Sequence, residues 1–273
     1  HCFTCSKDLF APTRIARGLA ERGIAVLRFD FTGLGHSDGA FENTDFSSNV
    51  DDLVRAADFL RDEYRAPQVL IGHSFGGTAS PVAAARIEEV QAVATIGAPC
   101  HPEHVQQLFS EKLDEIEDEG EAHVTIAGRE FTVSRQFLED IRGAKMEESI
   151  RGLRKPLMVF HAPRDETVGI DNARMIYEAA RHPKSFISLD GADHLLTRKQ
   201  DAEYVSAMLG AWVPRYVEFS VVDDRGVRGR RPEDLGEPHP DEVLVAEATD
   251  GRYKNHVAVG RHHVIADEPL EVG

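Results

Sequence analysis

Val69-Leu70-Ile71-Gly72-His73-Ser74-Phe75-Gly76-Gly77 is the stretch on which the reading of this chain turns. Gln68 to Gly72 reads as a short apolar strand suited to a buried parallel sheet, and a small-residue helix follows from about Phe75 to Glu88. A G-x-S-x-G sequence placed between strand and helix makes a sharp turn that lifts a serine out of the chain. The strained backbone of that serine requires small neighbours. Backbone N–H groups at the start of the helix point back at the serine, so Phe75 N–H is placed as a donor to an oxyanion.

A nucleophilic serine needs a base, and the base needs an orienting carboxylate. His194, in Gly191-Ala192-Asp193-His194-Leu195, follows the last apolar strand and is the expected base. Asp165, in His161-Ala162-Pro163-Arg164-Asp165-Glu166-Thr167-Val168, follows another strand end and is the expected acid. Glu166, Asp171 and Asp193 compete for that role. Glu166 is the closest rival, one residue away at a strand end, whereas Asp193 adjoins His194 and tends to point elsewhere. The order nucleophile, acid, base is the one that accompanies a serine on this kind of turn.

The rest of the first 216 residues alternates helix-like and strand-like segments. Helices are expected at 8–22, 46–64, 171–181 and 199–216, and strands at Ile24–Phe29, Val90–Ile96, Pro156–His161 and Lys184–Leu189. Alternation of this kind predicts an α/β fold, a mostly parallel sheet with helices on both faces. Residues 104–153 interrupt it with an acidic helix (Glu111 to Glu121), a hairpin around Ala127-Gly128 and further helix. That insertion is expected to lie over the strand ends as a lid. Residues 217–241 read as a linker, 223–241 being rich in Asp, Arg, Gly and Pro, and Val243 to Ala248 and Tyr253 to Val259 as strands of a new sheet.

Composition narrows the function classes. The chain of 273 residues carries a net charge of -16, with 41% hydrophobic and 29% charged residues. Such acidity argues against nucleic acid and anionic membrane surfaces as partners. No apolar run is long enough to span a bilayer. Three cysteines, Cys2, Cys5 and Cys100, suit free thiols in a reducing cytoplasm. Cys2 and Cys5 form a C-x-x-C pair, read here as two small residues in a tight loop rather than a redox centre. Gly33-Leu34-Gly35 is no dinucleotide site, because Asp38 stands where a third glycine is needed. His256, His262 and His263 read as solvated or structural rather than metal ligands. No cofactor or metal is expected.

With these residues in view, the chain resembles the α/β-hydrolase family over about residues 1–216. Asp30-Phe31-Thr32-Gly33-Leu34-Gly35-His36-Ser37 is similar to the family's D-x-x-G-x-G-x-S loop, and His1-Cys2-Phe3 to its His-Gly-X element, with Cys2 where glycine is usual. The resemblance implies a serine hydrolase acting on a small-molecule acyl ester, with Ser74, Asp165 and His194 as triad and Phe3 N–H as second oxyanion donor. It also implies that a strand belongs between Ile24–Phe29 and Gln68–Gly72, so the chain is expected to be truncated at both ends and poorly stable. Residues 242–273 resemble the opening of an OsmC-type α+β domain through Tyr253-Lys254-Asn255-His256 and Ala266-Asp267-Glu268-Pro269. OsmC domains reduce hydroperoxides through two cysteines, and no cysteine follows Cys100. That resemblance implies a homodimer through the complete domain. It also supplies a second reading, in which the hydrolase-like part is a scaffold for a fused peroxidase.

Overall fold

The computed structural model describes residues 1–218 and the three segments 243–247, 255–259 and 262–266. They fall into two units, His1–Val217 and Glu218–Gly273. Among the described residues no helix is long and apolar enough to cross a membrane.

The first unit is built on a four-stranded parallel sheet of β1 (Val69–His73), β2 (Ala92–Ile96), β5 (Leu157–His161) and β6 (Lys184–Ser188), in the order β1-β2-β5-β6. The central strands β2 and β5 are buried along their whole length, which is why their sequences are continuous apolar runs. Successive side chains alternate between two cores. Val93, Leu157 and Val159 enter one with α2 (Phe46–Glu63), α3 (Phe75–Arg86) and α7 (Asp171–Ala179). Ala94, Ile96, Met158 and Phe160 enter the other with α1 (Phe10–Ala20) and α8 (Lys199–Trp212). The expected α/β architecture, a parallel sheet with helices on both faces, is thus present.

Ile24–Phe29 is a correction. It forms no ladder, and Val26 and Leu27 are 39% and 43% exposed. An apolar run becomes a strand only where a neighbour accepts its backbone hydrogen bonds, and among the described residues β1 pairs with β2 alone. The expected final helix also ends early, at Trp212. A 3-10 turn, Val213–Arg215, takes over where Pro214 lacks an N–H.

Residues 104–153 are part of the first core rather than a layer resting on it. A kinked 3-10 segment (Pro102–Lys112) leads into α4 (Leu113–Glu119), then the antiparallel hairpin β3 (Glu121–Ile126) and β4 (Arg129–Ser134), then α5 (Arg135–Gly143) and α6 (Met146–Gly152). Ala122, Val124 and Ile126 alternate inward along β3, and Phe137, Leu138, Ile141, Met146 and Ile150 bury the apolar faces of α5 and α6. The acidic helix is shorter than expected: the 3-10 segment runs to Lys112, and the helix stops at Glu119 because Gly120 takes a left-handed φ of 95.

In the second unit β7 (Val243–Glu247), β8 (Asn255–Val259) and β9 (His262–Ala266) form an antiparallel sheet in that order. The third strand was not expected, since Val264-Ile265-Ala266 is a short apolar run behind two histidines. Most of the linker, and the Tyr253-Lys254 and Asp267-Glu268-Pro269 parts of the OsmC-like motifs, lie outside the described residues.

Leu157 is fully buried at the start of the central strand β5. Leu157→Ala is expected to lower unfolding free energy by about 2–5 kcal/mol, measured by urea denaturation. A loss below about 1 kcal/mol would contradict this packing.

Candidate active site

Three strand ends of one parallel sheet deliver the three expected residues to the same edge. Ser74 follows β1 directly, with φ 53 and ψ -122, a left-handed conformation that a non-glycine residue adopts only under constraint. Its N–H donates to Ile96 C=O at 2.8 Å, which ties the turn to the neighbouring strand. His194 lies beyond β6, and its Nε2 is 3.0 Å from Ser74 Oγ. Asp165 lies beyond β5, with Oδ2 2.7 Å from His194 Nδ1. Asp165 Oδ1 accepts N–H bonds from Thr167 at 2.9 Å and Val168 at 2.8 Å. Glu166, Asp171 and Asp193 are exposed and none reaches the imidazole: Asp171 faces Arg174 and Asp193 accepts from Thr197.

The His1-Cys2-Phe3 loop packs against the serine turn. Gly76 N–H donates to His1 C=O at 3.0 Å, and a Cβ on Gly76 would meet His1 N and O at 2.8 Å, so only glycine permits this approach. Neither Phe3 N–H nor Phe75 N–H donates to another group among the described residues. Their rings meet at 5.2 Å, and Phe137 of α5 packs on both. A cavity of 310 Å³ bounded by Phe46, Val82, Asp140, Lys145 and Met146 lies elsewhere; no residue of the Ser74 constellation lines it. The reactive groups, not the cavity, therefore mark the site.

Residues 1–116 match the family described as the alpha/beta hydrolase fold. The esterase domain of a Rhodothermus marinus protein is 48% identical, over 80% of this chain and 85% of that one, with a TM-score of 0.64. The chain belongs to the α/β-hydrolase family. The human mitochondrial palmitoyl-protein thioesterase ABHD10 is 27% identical over 190 residues, 66% of this chain and 60% of that protein. This chain therefore spans less than two thirds of that curated relative. Mouse alpha/beta hydrolase domain-containing protein 10 shares the fold at 23% identity and a TM-score of 0.65, over 78% of this chain and 87% of its own.

In this α/β-hydrolase the site's charges are set by burial against hydrogen bonding. Burial raises the Asp165 carboxyl, but the His194 hydrogen bond and the Val168 and Thr167 N–H groups outweigh it and hold the group below the usual carboxylate range. An ionised carboxylate can only accept, so the proton between it and His194 sits on Nδ1, leaving Nε2 free to accept from Ser74. Asp30 is treated alike. Burial raises it, and donors from His36 N–H, Lys7 N–H and Lys7 Nζ lower it overall. Its carboxylate is the hub around which the loop Asp30–Ser37 folds.

Cys2 and Cys5 are joined in a disulfide, which corrects the expectation of free thiols there. The turn closed by Cys5 N–H to Cys2 C=O brings their Cα atoms to 5.3 Å, within disulfide reach. Cys100 is free and buried, and burial pushes its thiol up to about 11.

Three residues near the site carried no signal that sequence reasoning could use. Gly97, φ 53, ends β2 where a side chain would stand 3.4 Å from His194 Nδ1. His73 and His161 are buried beside the loops that carry His194 and Asp165. Burial, with repulsion from His194, lowers His73 to about 3 from 6.5, the bond to His194 C=O opposing it only in part. The unfolded chain therefore takes up this proton first, and stability falls as pH drops from about 6.5 towards about 3. The expected contribution is about 1.4 kcal/mol per pH unit. Urea titrations between neutral pH and mild acid should show His73→Gln with the shallower slope; parallel slopes would contradict a buried neutral imidazole.

Proposed function

We propose that this chain is a serine hydrolase cleaving carboxylic esters or related acyl substrates, thioesters included, through an acyl-enzyme on Ser74. The observation that carries the reading is the continuous Ser74–His194–Asp165 contact at 3.0 and 2.7 Å. Ser74 Oγ attacks the acyl carbonyl while His194 Nε2 takes its proton. Asp165 keeps the imidazole in the receptive tautomer and stabilises imidazolium as it forms. The N–H groups of Phe75 and Phe3 receive the oxyanion, each contributing about 3–4 kcal/mol at the transition state. The imidazolium then returns its proton to the departing alkoxide or thiolate, and water, deprotonated by the same imidazole, releases the acid.

The relatives support the acyl-transfer class from two sides, one being an esterase domain and the other a palmitoyl-protein thioesterase. A nucleophilic serine on the turn argues against the chemistry of hydrolases that use aspartate there. The OsmC-like reading of residues 242–273 belongs to the same proposal. It makes this hydrolase the front part of a fusion, on the sequence resemblance of residues 242–273.

Hydrolysis of p-nitrophenyl acetate by the full chain tests the reading. Ser74→Ala should lower kcat by on the order of 10⁴-fold or more, and Asp165→Asn by on the order of 10⁴-fold. Glu166→Gln should stay within about two-fold of the parent. Turnover retained by Ser74→Ala would remove the serine from the mechanism, and loss in Glu166→Gln alone would move the acid by one residue.

A further inference from the structure

His73 and His161 stand outside the Ser74–His194–Asp165 contact, yet each is bonded to a loop that carries one of its members. His73 is 7% exposed, and its Nε2–H donates to the main-chain carbonyl of His194 at 2.7 Å. The two imidazole rings lie 5.3 Å apart. His161 is 1% exposed, and its Nε2–H donates to the carbonyl of Val168, also at 2.7 Å. Val168 in turn gives its N–H to Asp165 Oδ1. The Nδ1 atoms of both histidines have no hydrogen-bond partner among the described residues.

A carbonyl only accepts, so the proton of each neutral imidazole sits on Nε2 and Nδ1 is a bare acceptor facing the core. An unpaired buried acceptor is destabilising. Methionine or leucine would fill either position without it. What imidazole supplies and they do not is a rigid N–H aimed at a loop carbonyl. The turn that carries His194 is closed on itself by Ala192 N–H to Leu189 C=O and Leu196 N–H to Asp193 C=O; neither bond touches the His194 carbonyl. His73, covalently next to Ser74, closes that gap. The base is then held at both ends, its ring by Asp165 and Ser74 and its main chain by the residue adjoining the nucleophile.

We propose that His73 and His161 are positioning residues, one fixing the main chain of the base to the nucleophile turn, the other fixing the loop that orients the acid. This rests on the hydrolase reading above. A donor lost at either place lets the ring drift, and displacement of a reacting group by about 1 Å can cost up to about 100-fold in rate.

The test compares His73→Met with His73→Gln, and His161→Met with His161→Gln, in the full chain. The readouts are kcat and KM for p-nitrophenyl acetate, and hydrogen exchange at residues 191–196 and 165–168. Each methionine variant should lose about 10-fold or more in kcat with KM within about two-fold, and exchange faster in its own loop. Each glutamine variant, which keeps an N–H donor, should recover at least about a third of the parent kcat. Methionine variants equal to the parent in kcat and in exchange overturn the assignment. Should a methionine variant fail to unfold cooperatively, the glutamine variant decides: folded but reduced about 10-fold or more, it overturns the assignment. A parent chain without hydrolysis would remove the functional reading, while the exchange comparison would still decide whether the imidazoles hold the loops.

Discussion

The hydrogen bond from His194 Nδ1–H to the Asp165 carboxylate is the interaction on which the site depends. It joins the loop after β6 to the loop after β5, and the Val168 and Thr167 N–H groups accepted by Asp165 Oδ1 support it against the burial of the carboxylate. Take those donors away and a buried Asp165 would tend towards its neutral form, able to offer a proton where the imidazole also offers one. His194 would then have no reason to keep Nε2 bare, and Ser74 no acceptor. The tautomer rests first on the His194 hydrogen bond and then on the Val168 and Thr167 N–H groups aimed at the same carboxylate.

Parallel strands make this geometry natural. In a parallel sheet all carboxyl ends lie at one edge, so residues far apart in the chain meet there if each directly follows its strand. Ser74 does so, and Asp165 and His194 reach the same edge on the loops after β5 and β6. Close packing at the serine turn needs backbone without side chains at Gly72, Gly76 and Gly77, where a Cβ would meet Gly76 O, His1 at 2.8 Å and Ala98 at 2.7 Å respectively, while Gly97 beyond β2 is required by its φ of 53. The rings of Phe3, Phe75 and Phe137 pack on one another, so the insertion between β2 and β5 is bound to the serine turn through Phe137.

Much of this was legible in the sequence because local chemistry and tertiary role coincide. The serine turn announces itself through small residues between an apolar run and a helix, and Asp165 and His194 through their places after strands. The structure also separates Asp165 from Glu166, a distinction that one sequence position at a strand end does not resolve. Ile24–Phe29 misled because apolar composition specifies burial or pairing, but not the presence of a partner. The disulfide was missed because C-x-x-C spacing leaves bonded and free states equally open. His73 and His161 were invisible as positioning groups, since a histidine gives no sequence sign of which carbonyl it will meet.

The most direct measurement of the central claim is peptide-level mass spectrometry of the full chain after reaction with a fluorophosphonate, repeated with Asp165→Asn. The account predicts one adduct, on Ser74, formed far more slowly once the carboxylate is gone. An adduct on another residue, or equal rates on Ser74 with and without Asp165, would contradict it.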